Sequence, residues 1–449
     1  MELSRERLLI EVANAALFGS LGLFVGTGFS KAVTEGTAPS FRELLQEVCR
    51  DLDIHFDFDD PESLRGKSYS RIAEEIVTRI KESGTQRIST RRAEVKLKRA
   101  VCKACDLIPE RIIANKFRNV LKDIPIQWVI TTNYDFLLED VIPGSVCLLP
   151  DQILNARGDY VPIYHLHGHR RSPSSIVITE SDYVKLLTPT EYRQLKLNLL
   201  LAESTTIMLG YSLGDVNVQS AIEWSRSFRD ERGLRNEPYQ SLVIQALYVH
   251  DEPERAPYKG RNGEVIVETG HLQSFLTELK EAINDRKKQH EEAIGILNEW
   301  LEDSSSSLIA DDSDAREDFI NNIAQFPRCY DVHTLISFLD SVLDPIWNKA
   351  REDGGFTHYN RFLDVLLDIL VNLPSENIHP SLFSYLAARL DDVAYYIEPD
   401  GRRTFGSSWE ATNAWQTGKD SIPIQMKTEL QRFSKRHGGY RLLRLLEDG

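Results

Sequence analysis

The sequence predicts a doubly wound, Rossmann-like α/β domain with a mostly parallel sheet and an inserted helical module, followed by an all-α C-terminal domain. Three observations carry that expectation. Short apolar runs alternate with amphipathic stretches through the N-terminal part of the 449 residues, the pattern of strands joined by helical crossovers. Several of those runs empty into small polar turns, the places where open α/β sheets keep their ligand chemistry. From about Glu281 onward helical periodicity continues without strands.

Taken in order, MELSRERLLIEVANAALFGS mixes acidic and basic residues on an amphipathic rhythm and reads as a helix, not a signal peptide. Leu21-Gly22-Leu23-Phe24-Val25 is a short buried strand, and Gly26-Thr27-Gly28-Phe29-Ser30-Lys31 follows it. Alternate glycines permit a tight turn and close approach of backbone N–H groups to a phosphate. A plain tight turn explains them equally well, and the dehydrogenase fingerprint GxGxxG fails because Lys31 stands at the third glycine position. Four helical patterns then fill about 39–122, far more chain than one crossover requires.

Ile126-Gln127-Trp128-Val129-Ile130 is the next buried strand, running into Thr131-Thr132-Asn133-Tyr134-Asp135 and a helix start at Phe136-Leu137-Leu138. SVCLLP reads as a strand. Tyr160 to His165 reads as another, ending in the histidine-rich turn Leu166-His167-Gly168-His169, and SIVITESDYVKLL as a strand and helix. Ser204 to Leu209 is a clear strand that empties into Gly210-Tyr211-Ser212-Leu213-Gly214-Asp215, with Asp215 placed to cap the following helix. SLVIQALYV and EVIVE close the sheet. The domains expected are therefore residues 1–286 and a helical 287–449, the second carrying no chemistry that its sequence names.

Composition narrows the function classes. A hydrophobic content of 41% and a charged content of 27% are ordinary for a globular chain. No apolar run reaches the roughly 20 residues that span a bilayer, so a cytoplasmic protein without a membrane partner is expected. A net charge of −15 opposes non-specific nucleic-acid binding. The basic run Arg286-Lys287-Lys288 reads as the solvated end of a helix. Cys102-Lys-Ala-Cys105 lacks a second CxxC or a histidine pair and lies in a helical pattern, so packing accounts for it. No metal is expected.

Four turns, Gly26-Thr27-Gly28-Phe29-Ser30, Thr132-Asn133-Tyr134-Asp135, His167-Gly168 and Gly210-Tyr211-Ser212, can converge, because the C-terminal ends of parallel strands share one edge. Over residues 15–285 the set resembles the bacterial sirtuin-like NAD hydrolases of anti-phage defence. The resemblance implies that Gly26, Thr27, Gly28 and Ser30 cradle the dinucleotide. Asn133 in its Thr132/Asp135 turn would lie at the nicotinamide ribose, His167 would be catalytic, and Gly210, Ser212 and Asp215 would hold the adenosine side. NAD would then be the substrate, with no cofactor required. A homo-oligomer or a regulatory partner would restrain an effector that depletes NAD on infection. Thr27 and Phe29 stand where the family often has small residues, and the paired CxxC of deacetylating sirtuins is missing, which argues against a peptide deacetylase.

The residue types suit the chemistry independently. Cleaving a glycosidic bond to a pyridinium expels a neutral leaving group, so the barrier lies in an oxocarbenium-like ribose. Asn133 can place ribose or water, and His167 is an imidazole, whose unperturbed pKa of about 6.5 suits a base. Alternatives stand beside this. Asp135 can hold the nicotinamide amide or merely cap a helix, and Ser212 and Asp215 can merely shape their turn. His165, His167 and His169 at alternate positions permit a metal-hydrolase reading with Asp215. A non-catalytic sensor of NAD or ADP-ribose signalling through the helical domain is the rival from a different class.

Overall fold

Eight strands form one sheet: β1 (Leu21–Val25), β2 (Trp128–Thr131), β3 (Ser145–Leu148), β4 (Val161–His165), β5 (Thr205–Leu209), β6 (Val243–Tyr248), β7 (Tyr258–Lys259) and β8 (Val265–Thr269). Their order is β3-β4-β2-β1-β5-β6-β8-β7. All pairs are parallel except the short β7 against β8. This is the doubly wound, Rossmann-like arrangement expected from the alternation, accompanied by a helical C-terminal region. The computed structural model describes residues 4–83, 87–149, 152, 160–186, 192–211, 216–231, 242–250, 256–302, 305–325, 332–352, 354–373, 378–397 and 408–447.

Both faces of the sheet's central strands are buried, which is why those strands read as near-continuous apolar runs. Leu21, Leu23 and Val25 of β1 project to one face, against the helices Arg5–Leu17, Arg111–Leu121 and the start of Leu272–Glu302. Phe24 projects to the other, with Trp128, Ile130 and Met208, under the helices Tyr192–Glu203 and Val216–Glu231. The side-chain period of two along a strand divides the two cores.

The chain leaves β1 for β2 on one side and reaches β5 on the other, so the topological switch lies at the C-terminal end of β1. The register aligns the rim: Val25 pairs with Thr131 and with Leu209, and Thr131 pairs with His165. Four of the turns singled out in the sequence thus leave four neighbouring strands.

The stretch between β1 and β2 holds the helices Thr27–Val33, which begins at the Gly26 cap directly after β1, Phe41–Asp51, Pro61–Leu64, Tyr69–Glu82, Thr90–Ala104 and Arg111–Leu121. Ser40 begins helix Phe41–Asp51 with a full capping box to Glu43, and Ser68 and Ser89 cap two others. Phe41–Asp51, Tyr69–Glu82 and Thr90–Ala104 share a separate core with Tyr134, Ile176 and Ile178. Helix Arg111–Leu121 instead packs its Phe117 and Leu121 on the sheet. It therefore serves as the crossover, and the inserted module proper ends before it. Cys102 and Cys105 are buried in the module core, where burial pushes both thiols up, Cys102 to about 11.

Two local expectations are corrected. Ile176-Val177-Ile178-Thr179 forms no strand. A short 3₁₀ turn, Pro173–Ser175, precedes it, and the Val177 N–H donates to the His167 carbonyl at 2.9 Å instead of joining a ladder. Ile176 and Ile178 are apolar because they enter the module core. The run Arg286-Lys287-Lys288 lies inside the continuous helix Leu272–Glu302, with Arg286 buried and bonded to Gln289. Lys287 and Lys288 pair at i,i+4 with Glu291 and Glu292.

The chain divides into two compact units, Met1–Asn284 and Asp285–Gly449. The second has its own core, in which Leu335, Phe338, Leu343, Phe362, Leu366 and Leu386 are fully or almost fully buried. Arg389 there bridges Asp340 and Asp344 at 2.5 and 2.7 Å, and Asp340 also accepts from the Tyr385 hydroxyl. Among the described residues no helix is long and apolar enough to cross a membrane.

Candidate functional site

The rim is built from backbone first. Gly26 donates its N–H to the Leu209 carbonyl at 3.0 Å, and Gly28 donates to the Gly210 carbonyl at 2.8 Å. A Cβ on Gly26 would stand 2.7 Å from the Gly210 oxygen, and one on Gly28 would stand 2.8 Å from the Gly210 Cα. Gly210 adopts φ +59° and would place a Cβ 2.2 Å from the Phe29 nitrogen. The glycines thus dock the β1 turn against the β5 turn. The Gly26 and Gly28 N–H groups are turned inward onto carbonyls, so what these two glycines offer a ligand is close approach. Gln245 of β6 reinforces the β5 turn by donating from Nε2 to the Tyr211 carbonyl at 2.9 Å.

Side chains join β1 to β2. Thr131 donates from Oγ1 to the Val25 carbonyl and accepts from the Asn133 N–H, which sets the direction of the turn. Asn133 donates from Nδ2 to the Ser30 Oγ at 2.9 Å, and Ser30 donates from Oγ to the Asp135 Oδ2 at 2.8 Å. Thr27 lies 3.5 Å from the Asn133 Oδ1. The second oxygen of Asp135 accepts from the Leu137 N–H, the start of helix Leu137–Val141. Asp135 therefore does act on the helix start, and Ser30 connects it to Asn133. Burial pushes the Asp135 carboxyl up from the ordinary range, against the pull of Ser30 and Leu137.

The His-Gly turn follows β4. The Leu166 N–H donates to the Thr131 carbonyl at 2.8 Å and carries the turn alongside β2. Gly168, at φ +80°, lets the Ser175 carbonyl approach where a Cβ would stand 2.2 Å from its oxygen. Tyr134 bonds through its hydroxyl to the Val177 carbonyl at 2.7 Å, and the Arg170 N–H donates to the Tyr134 carbonyl. The ring of His167 packs edge-on to Tyr183 at 5.1 Å.

The alternate histidines part company. His165 is fully buried, with Nδ1 3.0 Å from the Asn133 carbonyl and Nε2 2.8 Å from Glu139 Oε1. Burial opposes its charge, but Cys147 and Glu139 outweigh that and hold it up to about 10. His169 packs edge-on to His165 at 5.3 Å and tilted against Phe136 at 5.1 Å, and burial with the neighbouring His165 pushes it down. Among the described residues, the one group of ligand atoms close enough to share an ion takes only His165 from the run, with Glu139 and Cys147. A three-histidine centre is not assembled.

Exposure is layered. Asn133 and Asp135 are each 7% exposed and His167 3%, whereas Thr27, Gly28, Thr132, Gly210 and Tyr211 reach the surface. Ser212 and Asp215 lie outside the described residues. Sequence reasoning missed Tyr183, Gln245, Glu139 and Cys147, whose partners come from distant elements and leave no local pattern. Tyr134 was legible only as a member of its motif.

Fold and rim together define a doubly wound α/β sheet whose polar turns gather at the switch point of β1. Residues 127–262 match a family model described as the SIR2-like domain. No curated protein matches the chain. Gly26 and the start of helix Thr27–Val33 lie outside the matched residues, yet Ser30 in that helix is hydrogen-bonded to Asn133 and Asp135 within them.

Proposed function

We propose that the chain is an NAD hydrolase, releasing nicotinamide and ADP-ribose. The reading rests on one observation above others. Asn133, Ser30 and Asp135 form a buried chain of hydrogen bonds at the sheet's switch point, and the next strand along the edge delivers His167. In the proposed reaction the bond from ribose C1′ to the pyridinium nitrogen breaks, its electron pair neutralising the nicotinamide. Water adds to C1′ and passes a proton to His167. The Asn133 amide orients the ribose and the incoming water, with Ser30 fixing that amide. Thr27, Gly28 and Gly210 supply the smooth surface over which the diphosphate lies.

The layering of the rim favours a restrained enzyme. Asn133 and His167 sit beneath the surface glycines and threonines, so catalysis requires the rim to open. The helical unit is the candidate for governing that opening through self-assembly or a regulatory partner, as a defence effector that depletes NAD would need. The same burial is the observation that favours the rival reading, a sensor that binds NAD at the surface of the rim without cleaving it.

Timed incubation with NAD, followed by chromatography, should show stoichiometric nicotinamide and ADP-ribose. His167→Ala should lose about 10²–10⁴-fold in rate, the usual contribution of a general base, while still binding NAD. Asn133→Ala should fall comparably. Wild-type rates in both variants would remove these residues from the mechanism, and tight NAD binding without turnover in any assembly state would favour the sensor.

A further inference from the structure

We propose that Glu139, Cys147 and His165 form a zinc site that positions the Asn133 turn. The three residues come from the helix Leu137–Val141, from β3 and from β4, and their ligand atoms lie within 4.8 Å of one another. Nitrogen, thiolate sulfur and carboxylate oxygen are the donor types that a borderline-soft ion such as Zn²⁺ takes. This inference does not rest on the NAD hydrolase reading.

The orientation of His165 carries the argument. The Asn133 carbonyl can only accept, so the proton of His165 lies on Nδ1, 3.0 Å away. That leaves Nε2 directed at Glu139 Oε1, 2.8 Å off, with the Cys147 sulfur beside it. Nε2 faces a carboxylate and a thiol together, and a positive species, a proton or a metal ion, must lie between them. A proton on Nε2 answers only for Oε1. The other oxygen of Glu139, Oε2, is buried and has no hydrogen-bond partner among the described residues. An ion drawing on nitrogen, sulfur and carboxylate satisfies the whole group, and Oε2 or a water can complete its coordination.

An N–H to a backbone carbonyl behind a ligating histidine is also the usual support of a metal ligand. Here that carbonyl belongs to Asn133, so the ion would tie β3, β4 and the following helix to the turn that carries the amide. Its role is positional, and no step of the proposed hydrolysis passes through it. The reading of the sequence assigned no metal because ligands at positions 139, 147 and 165 have none of the short spacings that announce one.

The test uses the intact chain, stripped with chelator, loaded with Zn²⁺ or with Co²⁺ as a spectroscopic probe, and desalted. Wild type should retain a single zinc by elemental analysis, and the cobalt form should show a thiolate-to-metal charge-transfer band. Cys147→Ala should lose that band and bind zinc at least tenfold more weakly. Glu139→Gln should also bind more weakly yet keep the band, and circular dichroism checks that each variant folds. Failure of wild type to retain the ion overturns the site, whatever the variants do. An unchanged band in Cys147→Ala that disappears in Cys102→Ala would place the ion on the CxxC helix, and would equally overturn it.

Discussion

Ser30 is the smallest side chain at the rim and makes the most consequential contacts there. Its hydroxyl accepts from Asn133 and donates to Asp135, both across the gap between β1 and β2. Replacing it with alanine leaves a buried amide hydrogen and a buried carboxylate oxygen each short of a partner, which costs about 1–3 kcal/mol per group. Ser30→Ala should therefore lower the urea midpoint of the N-terminal unit. It should also slow nicotinamide release with little change in KM, since the amide stays present but loses its orientation. Gly168→Ala should be more damaging, because a methyl 2.2 Å from the Ser175 oxygen in a left-handed conformation forces the turn apart. Asn133 and Asp135 could be singled out only beside the other strand-end turns, since a helix-capping turn explains theirs taken alone. The relay through Ser30 could not, because a serine after a glycine-rich turn looks the same whether it faces solvent or a carboxylate 105 residues away.

At the scale of elements, ion pairs join the inserted module to the His-Gly side of the rim, Arg170 with Asp106 and Lys98 with Asp182. Lys98, on helix Thr90–Ala104, lies 2.9 Å from Asp182, and both side chains are largely buried. Asp182 also accepts from the Ile178 and Thr179 N–H groups at the start of helix Glu180–Leu186. Burial pushes its carboxyl up, but Lys98 and the backbone donors prevail and hold it below the ordinary carboxylate range. A carboxyl lowered in the folded state contributes stability above its unfolded pKa of about 3.9 and loses it as pH falls through the lower folded value. Asp182→Asn should thus be less stable than wild type at pH 7, by about 1–3 kcal/mol. The difference should shrink as denaturation is repeated toward pH 3. A gap independent of pH would mean that shape, not charge, holds this junction.

For the whole molecule, the two compact units differ in build: one gathers polar turns along a sheet edge, and the other is a helical unit built around aliphatic and aromatic packing. A ligand that binds only the folded state stabilises it by about 2.7 kcal/mol at a hundredfold excess over Kd. NAD added to His167→Ala, which should bind without consuming it, should raise the melting temperature. It should also slow hydrogen exchange in the turns after β1, β2 and β5. Protection elsewhere in the N-terminal unit with none at these turns would move the binding site off the sheet edge.

By itself the sequence determined the alternation of buried strands and amphipathic helices, the polar turns at the strand ends and the change to an all-helical region. Each of these follows from local periodicity and turn chemistry, which a few consecutive residues express. Only the tertiary structure decided that helix Arg111–Leu121 belongs to the sheet and that Ile176 and Ile178 feed the module's core. It alone separated the three histidines, sending His165 to Glu139 while His167 meets Tyr183. Those outcomes depend on which distant surfaces meet. Partner choice is set by the parallel register and by burial against residues tens of positions away, and no short stretch of sequence encodes it.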